Sequence, residues 1–102
     1  MVKKVLFTVR RRYFNAIVAD IKNEEIRSFT PRWKWLLGLD PPEVAVFLCG
    51  RDVHRRHITK IYLEDPEKVL DRPLSEQGRK DISTPTTIII ELGEKYKEEA
   101  EG

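Results

Sequence analysis

Three charged side chains between residues 22 and 27 have the types and the spacing of a small polar site. Lys22, Glu25 and Arg27 lie where a helical pattern gives way to a strand pattern. Glu25 and Arg27 are two residues apart, so their side chains leave a strand on the same face, which Lys22 reaches from the preceding turn. A carboxylate beside two cations can bind a polar ligand or take part in proton transfer. The alternative is a solvated strand face, whose ion pairs contribute about 0 to 1 kcal/mol each.

An amphipathic helix is predicted immediately before these residues. From residue 11 to residue 22, apolar side chains recur at the spacing that lines one face of a helix, namely Phe14, Ile17, Val18 and Ile21. We expect this stripe to pack on the core. After Asn23 the period changes to two, which predicts a strand over residues 25–29, with Ile26 on its apolar face and the charged pair opposite.

Four further segments have the pattern of strands. One of them, bounded by Pro42 and Gly50, is apolar almost throughout and is predicted to be buried on both faces. The basic residues that follow it, 51–57, are predicted to form a loop. A short helix is predicted to begin at residue 65. The four strands are predicted over residues 4–9, 43–49, 58–64 and 84–92.

The run from Asp20 to Arg27, DIKNEEIR, resembles the G-x-K-x-x-E-x-R segment of the ASCH family of PUA-like β-barrels. Lys22, Glu25 and Arg27 match the segment, and Asp20 stands where the family has glycine. The preceding strand and helix and the later strands fit the same barrel.

The resemblance extends over most of the chain and implies a fold. We expect an α+β structure: a small, partly open β-barrel of five or six mostly antiparallel strands with one main helix packed on it. The ASCH-like domain is predicted to span residues 1–92, and residues 93–102 are predicted to be a charged C-terminal tail.

The resemblance also implies a class of function, because PUA-like domains are associated with RNA binding. In this interpretation a cleft between helix and barrel takes a base or a nucleotide. Arg27 binds a phosphate or a base edge, Glu25 accepts a hydrogen bond from a base amino group, and Lys22 supplies charge or holds Glu25 in place.

Two alternatives remain open. Some ASCH members are ribonucleases or amidohydrolases that act on an acetylated cytidine, so the same site implies an enzyme in which Lys22 is the base or nucleophile and Glu25 its proton partner. The other alternative is a non-catalytic domain that binds a protein or a second copy of itself.

The distribution of charge favours a nucleic-acid partner. Residues 1–60 contain 13 Lys and Arg against 6 Asp and Glu, whereas residues 61–102 contain 6 against 11. Phosphate contacts supply much of the affinity for nucleic acid; the alternative is that the two halves neutralise each other in the fold. Besides the cluster above, we predict nucleic-acid contacts at Arg10, Arg11, Arg12, Arg32, Trp33, Lys34, Arg55 and Arg56.

Two tryptophans alternate with cations in the segment after the predicted strand. Trp33 and Trp35 are interleaved with Arg32 and Lys34. An aromatic face stacks a base with about 1 to 3 kcal/mol, so this segment is predicted to form a platform for a single-stranded or flipped base. The alternative is that at least one tryptophan closes the end of the barrel as a core residue.

Cys49, His54 and His57 have side chains that bind zinc, but the chain has no second cysteine and no third histidine to complete a structural site. We therefore predict no metal and no cofactor. A lone cysteine also excludes an intramolecular disulfide.

Composition excludes several classes of protein. A chain of 102 residues corresponds to one domain. The apolar runs are far shorter than the roughly 20 residues of a membrane span, and no signal peptide is recognisable. No P-loop, serine-hydrolase or zincin motif is present.

With 35% charged residues, the composition is typical of proteins from hot environments. We expect a cytoplasmic protein that binds RNA, another nucleic acid or a modified nucleoside.

Overall fold

The computed structural model describes residues 2–65 and 86–97, which form an open five-stranded sheet with one α-helix packed on it. The helix, α1, is Arg11–Val18, and a short 3₁₀ helix covers Lys34–Leu37. The strands are β1, Lys4–Thr8; β2, Glu24–Ser28; β3, Val44–Cys49; β4, Asp52–Glu64; and β5, Thr87–Lys95.

The strand order is β1-β3-β4-β5-β2. β1 and β3 are parallel, and the pairs β3–β4, β4–β5 and β5–β2 are antiparallel. β1 and β2 are therefore the edges of the described sheet. The predicted barrel is confirmed in a coarser form, as a half-barrel of mixed strands that is open between β1 and β2.

The core lies between α1 and one face of the sheet. Every second residue of β1 is buried, as the alternation of the first segment predicted. β3 has a near-continuous apolar sequence because it lies in the sheet interior, and it is buried on both faces as predicted. The residues that form this core include Val5, Phe7, Phe14, Ile17, Leu36, Ala45, Phe47, Ile88, Ile90 and Leu92.

The predicted loop over residues 51–57 is wrong from Asp52 onward, because these residues are the first half of β4. Gly50, with φ of 59°, begins a tight turn that pairs Cys49 directly with Asp52. The sequence pattern does not predict this strand, because its inward-facing residues, His54 and Arg56, are polar although both are buried.

The predicted helix is too long, since α1 ends at Val18 rather than near residue 22. Asp20 takes a positive φ of 62°, which ends the helical path. The backbone N–H groups of Ile21 and Lys22 both donate to the carbonyl of Ala16, at 2.9 and 3.1 Å. Val18 and Ile21, predicted to pack on the core, are exposed, and Ile21 is 77% exposed.

β5 continues beyond the predicted domain end at residue 92 and reaches Lys95. The backbone N–H of Tyr96 then donates to the carbonyl of Arg55 at 2.9 Å. The helix predicted to begin at residue 65, the first two residues of the strand predicted over 84–92, and the last five residues of the predicted tail lie outside the described residues. Within the described ranges, no helix has the length and apolar character that crossing a membrane requires.

Candidate functional site

The face of β2 that carries Glu25 and Arg27 points into the half-barrel. The solvated strand face, given above as the alternative for this side, is wrong, because Glu25 is only 5% exposed. Ile26, predicted to lie on the apolar face, is half-buried. Pairing with β5 sets the orientation. Glu25 lies opposite Ile90 and Arg27 lies opposite Ile88, and both isoleucines belong to the core.

The structure brings the three predicted charged side chains together. The Nη2 group of Arg27 donates to Oε2 of Glu25 at 2.7 Å. Oε1 of Glu25 accepts from the backbone N–H of Ile26 at 3.3 Å and lies 3.9 Å from Nζ of Lys22. The buried carboxylate therefore has two cations beside it, as a buried charge requires.

Lys22 takes a supporting position. Its Nζ donates to the backbone carbonyl of Glu24 at 2.6 Å and lies 6.0 Å from the centroid of the Tyr13 ring. These contacts hold Lys22 behind the carboxylate of Glu25. The hydrolase hypothesis, in which Lys22 attacks a substrate, is not tested by this geometry and stays a prediction from the sequence.

The Arg27 guanidinium lies against two aromatic rings. Its Cζ is 4.8 Å from the centroid of Phe7 and 5.2 Å from that of Trp33, distances at which a cation is attracted by the ring faces. The Nη2 group also reaches the carbonyl of Thr8 at 3.4 Å, across the open edge from β2 to β1. Nε of Arg27 is buried and has no hydrogen-bond partner among the described residues. Arg27 therefore has donor capacity that the fold does not use.

A cavity of about 450 Å³ opens beside this ion pair. It lies at the gap between β1 and β2, and α1 and the segment before the 3₁₀ helix complete its walls. Its size lies within the range of small-ligand sites. Glu25 is the single acidic side chain among the described lining residues, which include Thr8, Arg10, Tyr13, Glu25, Arg27 and Trp33.

One further predicted basic residue lines this cavity, and three more lie against aromatic rings in the segments that contribute to its walls. Arg12 donates to the hydroxyl of Tyr13 at 2.9 Å. The guanidinium of Arg32 lies 4.9 Å from the Trp33 ring, and the ammonium of Lys34 lies 4.9 Å from the Phe29 ring. Arg10 itself lines the cavity. Each of the segments 10–12 and 32–34 thus contributes a lining residue to one cavity and carries further cations beside it.

The two tryptophans have different roles. Trp33 is half-buried, packs 5.3 Å from the Phe7 ring and lines the cavity. Trp35 is 40% exposed and lies over the ammonium of Lys3 at 5.3 Å. Trp33 is therefore partly a core residue, as one of the two interpretations predicted, and it is also a wall of the cavity. The platform for a base stays a prediction.

The other predicted contact residues lie elsewhere. Arg11 donates to the carboxylate of Asp52 at 2.7 Å, and this hydrogen bond raises the pKa of Arg11 above its ordinary value. Arg55 is half-buried on the outward face of β4. Arg56 is 5% exposed and is enclosed by the fold.

Arg56 holds the turn that leads to β2. Its guanidinium donates to the carbonyls of Gly93 and Ile17 at 2.6 and 3.1 Å, and to the side chains of Asp20 and Asn23 at 3.2 and 3.0 Å. A cation at the last carbonyls of α1 also opposes the negative end of the helix dipole. This contact fixes the corner from which Lys22 and Glu25 project.

Sequence reasoning missed Arg56 as an internal clamp and Tyr13 as a wall of the cavity. A signal for the turn exists in Asp20, because aspartate tolerates positive φ better than most residues. Nothing in the spacing marks Arg56 as its partner. Nothing in the spacing marks Tyr13, which follows three arginines and precedes the buried Phe14.

The structure separates the side chains that were weighed as zinc ligands. His54 and His57 are three residues apart on β4, so they leave opposite faces of the sheet. Cys49 is buried in the core. Within residues 2–65 and 86–97, no group of three or more His, Cys, Asp or Glu side chains is placed to hold a metal ion.

Comparison with solved structures shows a similar fold. The chain is similar to the crystal structure of a serine-to-alanine mutant of ZmASCH, a protein from Zymomonas mobilis, with a TM-score of 0.64 and 18% sequence identity. The similarity covers 90% of this chain and 68% of that one. No protein-family model matches the chain, and no curated protein matches its sequence.

Proposed function

From the premise that this chain has the fold of an ASCH protein, we propose that it binds single-stranded RNA and takes one nucleotide into the cavity between β1 and β2. The cavity carries the proposal, because it combines a nucleotide-sized volume with two arginines and two aromatic side chains. The fold by itself supports the RNA class only by analogy.

The chemistry of the walls suits an unstacked base. Tyr13 and Trp33 line the cavity and offer aromatic faces, and stacking on such a face contributes about 1 to 3 kcal/mol per base. Arg27 and Glu25 place hydrogen-bond donors beside acceptors at the inner wall, which matches the mixed edges of all four bases. The site therefore favours a base as ligand, but these contacts do not distinguish among the four bases.

The arginines and lysine around the cavity suit the phosphates of the same strand. Arg10 lines the cavity, Arg32 lies against its Trp33 wall, and Lys34 follows Trp33 in the chain and lies over the Phe29 ring. Such contacts are independent of sequence and weaken with salt. Bases in a duplex are stacked and paired, whereas a single strand can turn one base into a cavity. We therefore expect single strands to bind more tightly than duplexes.

Arg56 stands outside this proposal, because its guanidinium is bound to four acceptors of the fold. Lys22 has a supporting role, since its nearest contacts are Glu24, Glu25 and Tyr13.

Fluorescence anisotropy with labelled single-stranded RNA, at several salt concentrations, tests the proposal. Arg10→Ala should weaken binding several-fold and reduce the salt dependence by about one phosphate contact. Lys60→Ala is the matched control, because Lys60 is exposed and lies opposite Glu91 in the strand register, on the other face of the sheet from Glu25. Duplex DNA is the comparison ligand.

Two results would contradict the proposal. One is no binding of single-stranded RNA at low salt. The other is an equal loss of affinity in Arg10→Ala and Lys60→Ala, which would mean that RNA senses only the net charge of the protein.

A further inference from the structure

The inner wall of the cavity carries an ion pair rather than an isolated cation. Nη2 of Arg27 is 2.7 Å from Oε2 of Glu25, and both residues line the cavity. The Glu25 carboxylate accepts one other hydrogen bond of 3.3 Å, from its neighbour Ile26, and has Lys22 at 3.9 Å. A carboxylate has about four lone-pair positions, so Glu25 retains acceptor capacity toward a ligand.

We propose that Glu25 determines which part of a nucleotide enters the cavity: it admits a neutral ring that carries N–H donors and excludes phosphate. This inference rests on the proposed function and assigns Glu25 as the residue that sets its specificity. Arg27 is then a base-binding group held by Glu25, and phosphates are bound by Arg10 and Arg32 instead of Arg27.

The charges at the wall support this assignment. A phosphate that approaches Arg27 from the cavity also approaches the carboxylate of Glu25, so repulsion by Glu25 opposes attraction by Arg27. The phosphate must also lose its hydration, and this cost is not recovered where the cation is already paired. A neutral ring loses less hydration and gains a charge-assisted hydrogen bond to the carboxylate.

Arg27 is also poorly oriented for a phosphate. Its guanidinium lies against the rings of Phe7 and Trp33, and its Nη2 group is directed to Glu25 and to the carbonyl of Thr8. A bidentate phosphate contact uses two neighbouring donors of one guanidinium. Here one of those donors already serves protein acceptors.

The fluorescence of Trp33 gives a direct measurement at the site. The chain contains two tryptophans, and Trp35 is exposed, so Trp35→Phe leaves Trp33 as the sole reporter. In this background the protein is titrated separately with adenosine, guanosine, cytidine, uridine and ribose 5-phosphate. Ribose 5-phosphate carries the sugar and the phosphate without a base.

We expect at least one nucleoside to quench Trp33, and ribose 5-phosphate neither to quench it nor to displace the nucleoside. In Glu25→Gln the nucleoside should bind at least about tenfold more weakly, since a hydrogen bond to a charged acceptor is lost. Ribose 5-phosphate should bind more tightly in the same variant, so the preference for the nucleoside should fall further.

Glu24→Gln is the matched control. Glu24 is adjacent to Glu25 on β2 and faces the other side of the sheet, and the substitution removes the same charge. It should leave the ratio of the two affinities unchanged. Far-UV circular dichroism and thermal unfolding show whether Glu25→Gln stays folded; if it does not, the comparison of nucleoside with ribose 5-phosphate in the Trp35→Phe protein decides alone.

Three outcomes overturn the inference: ribose 5-phosphate binds as tightly as the nucleosides, Glu25→Gln leaves the ratio unchanged, or no nucleoside quenches Trp33. Failure of the proposed function is distinguishable. If RNA binds in the anisotropy measurement but the ratio does not depend on Glu25, only the specificity assignment is wrong. If neither RNA nor a nucleoside binds, the proposed function is wrong as well.

Discussion

Arg27 and Arg56 both point into the half-barrel, and the fold uses them in different ways. The guanidinium of Arg56 donates to four acceptors in α1, the turn before β2, and β5. The guanidinium of Arg27 has one strong contact, with Glu25, and a long one to Thr8. Its Nε has no described partner, and its side chain is 23% exposed against 6% for Arg56.

This difference distinguishes a residue that holds the fold from one that can bind a ligand. The donors of Arg56 are satisfied, and they connect elements that are distant along the chain. Arg27 lies on an edge strand beside a cavity and has unused donors. Both residues are arginines on strands, so residue type does not distinguish them. The number of internal acceptors separates them, and the sequence does not give that number.

The largest expected effect is on stability. Arg56→Met removes four hydrogen bonds and leaves the carbonyls of Ile17 and Gly93 without this donor, which should cost about 3 to 5 kcal/mol in the free energy of unfolding. Arg27→Met combined with Glu25→Gln removes both charges of an ion pair at the cavity and should cost about 1 to 2 kcal/mol. Urea unfolding monitored by circular dichroism measures both.

The double variant is the suitable counterpart, because Arg27→Met alone leaves the buried Glu25 carboxylate without its nearest cation. RNA binding should be lost in the double variant while its fold remains. Equal destabilisation of the two proteins would remove the distinction between Arg56 and Arg27.

A smaller effect is expected at Asp20, which Arg56 holds at positive φ. Asp20→Ala should be about 1 kcal/mol less stable than Asp20→Gly, because alanine is strained in this conformation and glycine is not. Asp20→Asn should cost least, since asparagine tolerates positive φ and keeps an oxygen acceptor for Arg56. Thermal unfolding of the three variants ranks them.

Equal stability of the alanine and glycine variants would show that the backbone at Asp20 is not constrained as in the structure. The comparison also bears on the family segment, in which glycine occupies this position. Asp20 takes the backbone conformation that glycine adopts most readily.

The sequence predicted the positions of most strands and the cluster of Lys22, Glu25 and Arg27, because these follow from local periodicity and spacing. It left open whether the face of Glu25 lines a cleft or is solvated. The orientation of β2 comes from its pairing with β5, a contact between residues about 60 or more positions apart. On an isolated strand, the apolar Ile26 is the natural candidate for the core.

The first half of β4 and the end of α1 were missed for a related reason. His54 and Arg56 fill inward positions that periodicity assigns to apolar residues, so the strand does not alternate in the expected way. The apolar stripe of α1 continues to Ile21, but Asp20 ends the helix first. The acceptors that satisfy Arg56 are distant along the chain, and single-sequence patterns do not contain them.

The smallest expected effect concerns pH and the region around Arg56. His54 is buried, and desolvation lowers its pKa below the ordinary value, with the positive charges of Arg56 and Lys95 acting in the same direction. A folded-state pKa below the unfolded one means that the unfolded chain binds the proton first. The stability that depends on neutral His54 is therefore complete above about pH 6.5 and is lost as the pH falls toward the folded pKa.

His54→Gln removes this titration and keeps a polar side chain at the position. Urea unfolding between pH 7.5 and pH 5 should show a smaller loss of stability in His54→Gln than in the wild type. Parallel curves for wild type and His54→Gln would contradict the prediction. Four acceptors hold the guanidinium of Arg56 in place. Protonated His54 therefore adds a second positive charge to the same face of β4, and the two charges repel each other. Protonation of His54 in the region around Arg56 should thus change the stability of the fold, whereas the cavity around Arg27 should bind the ligand.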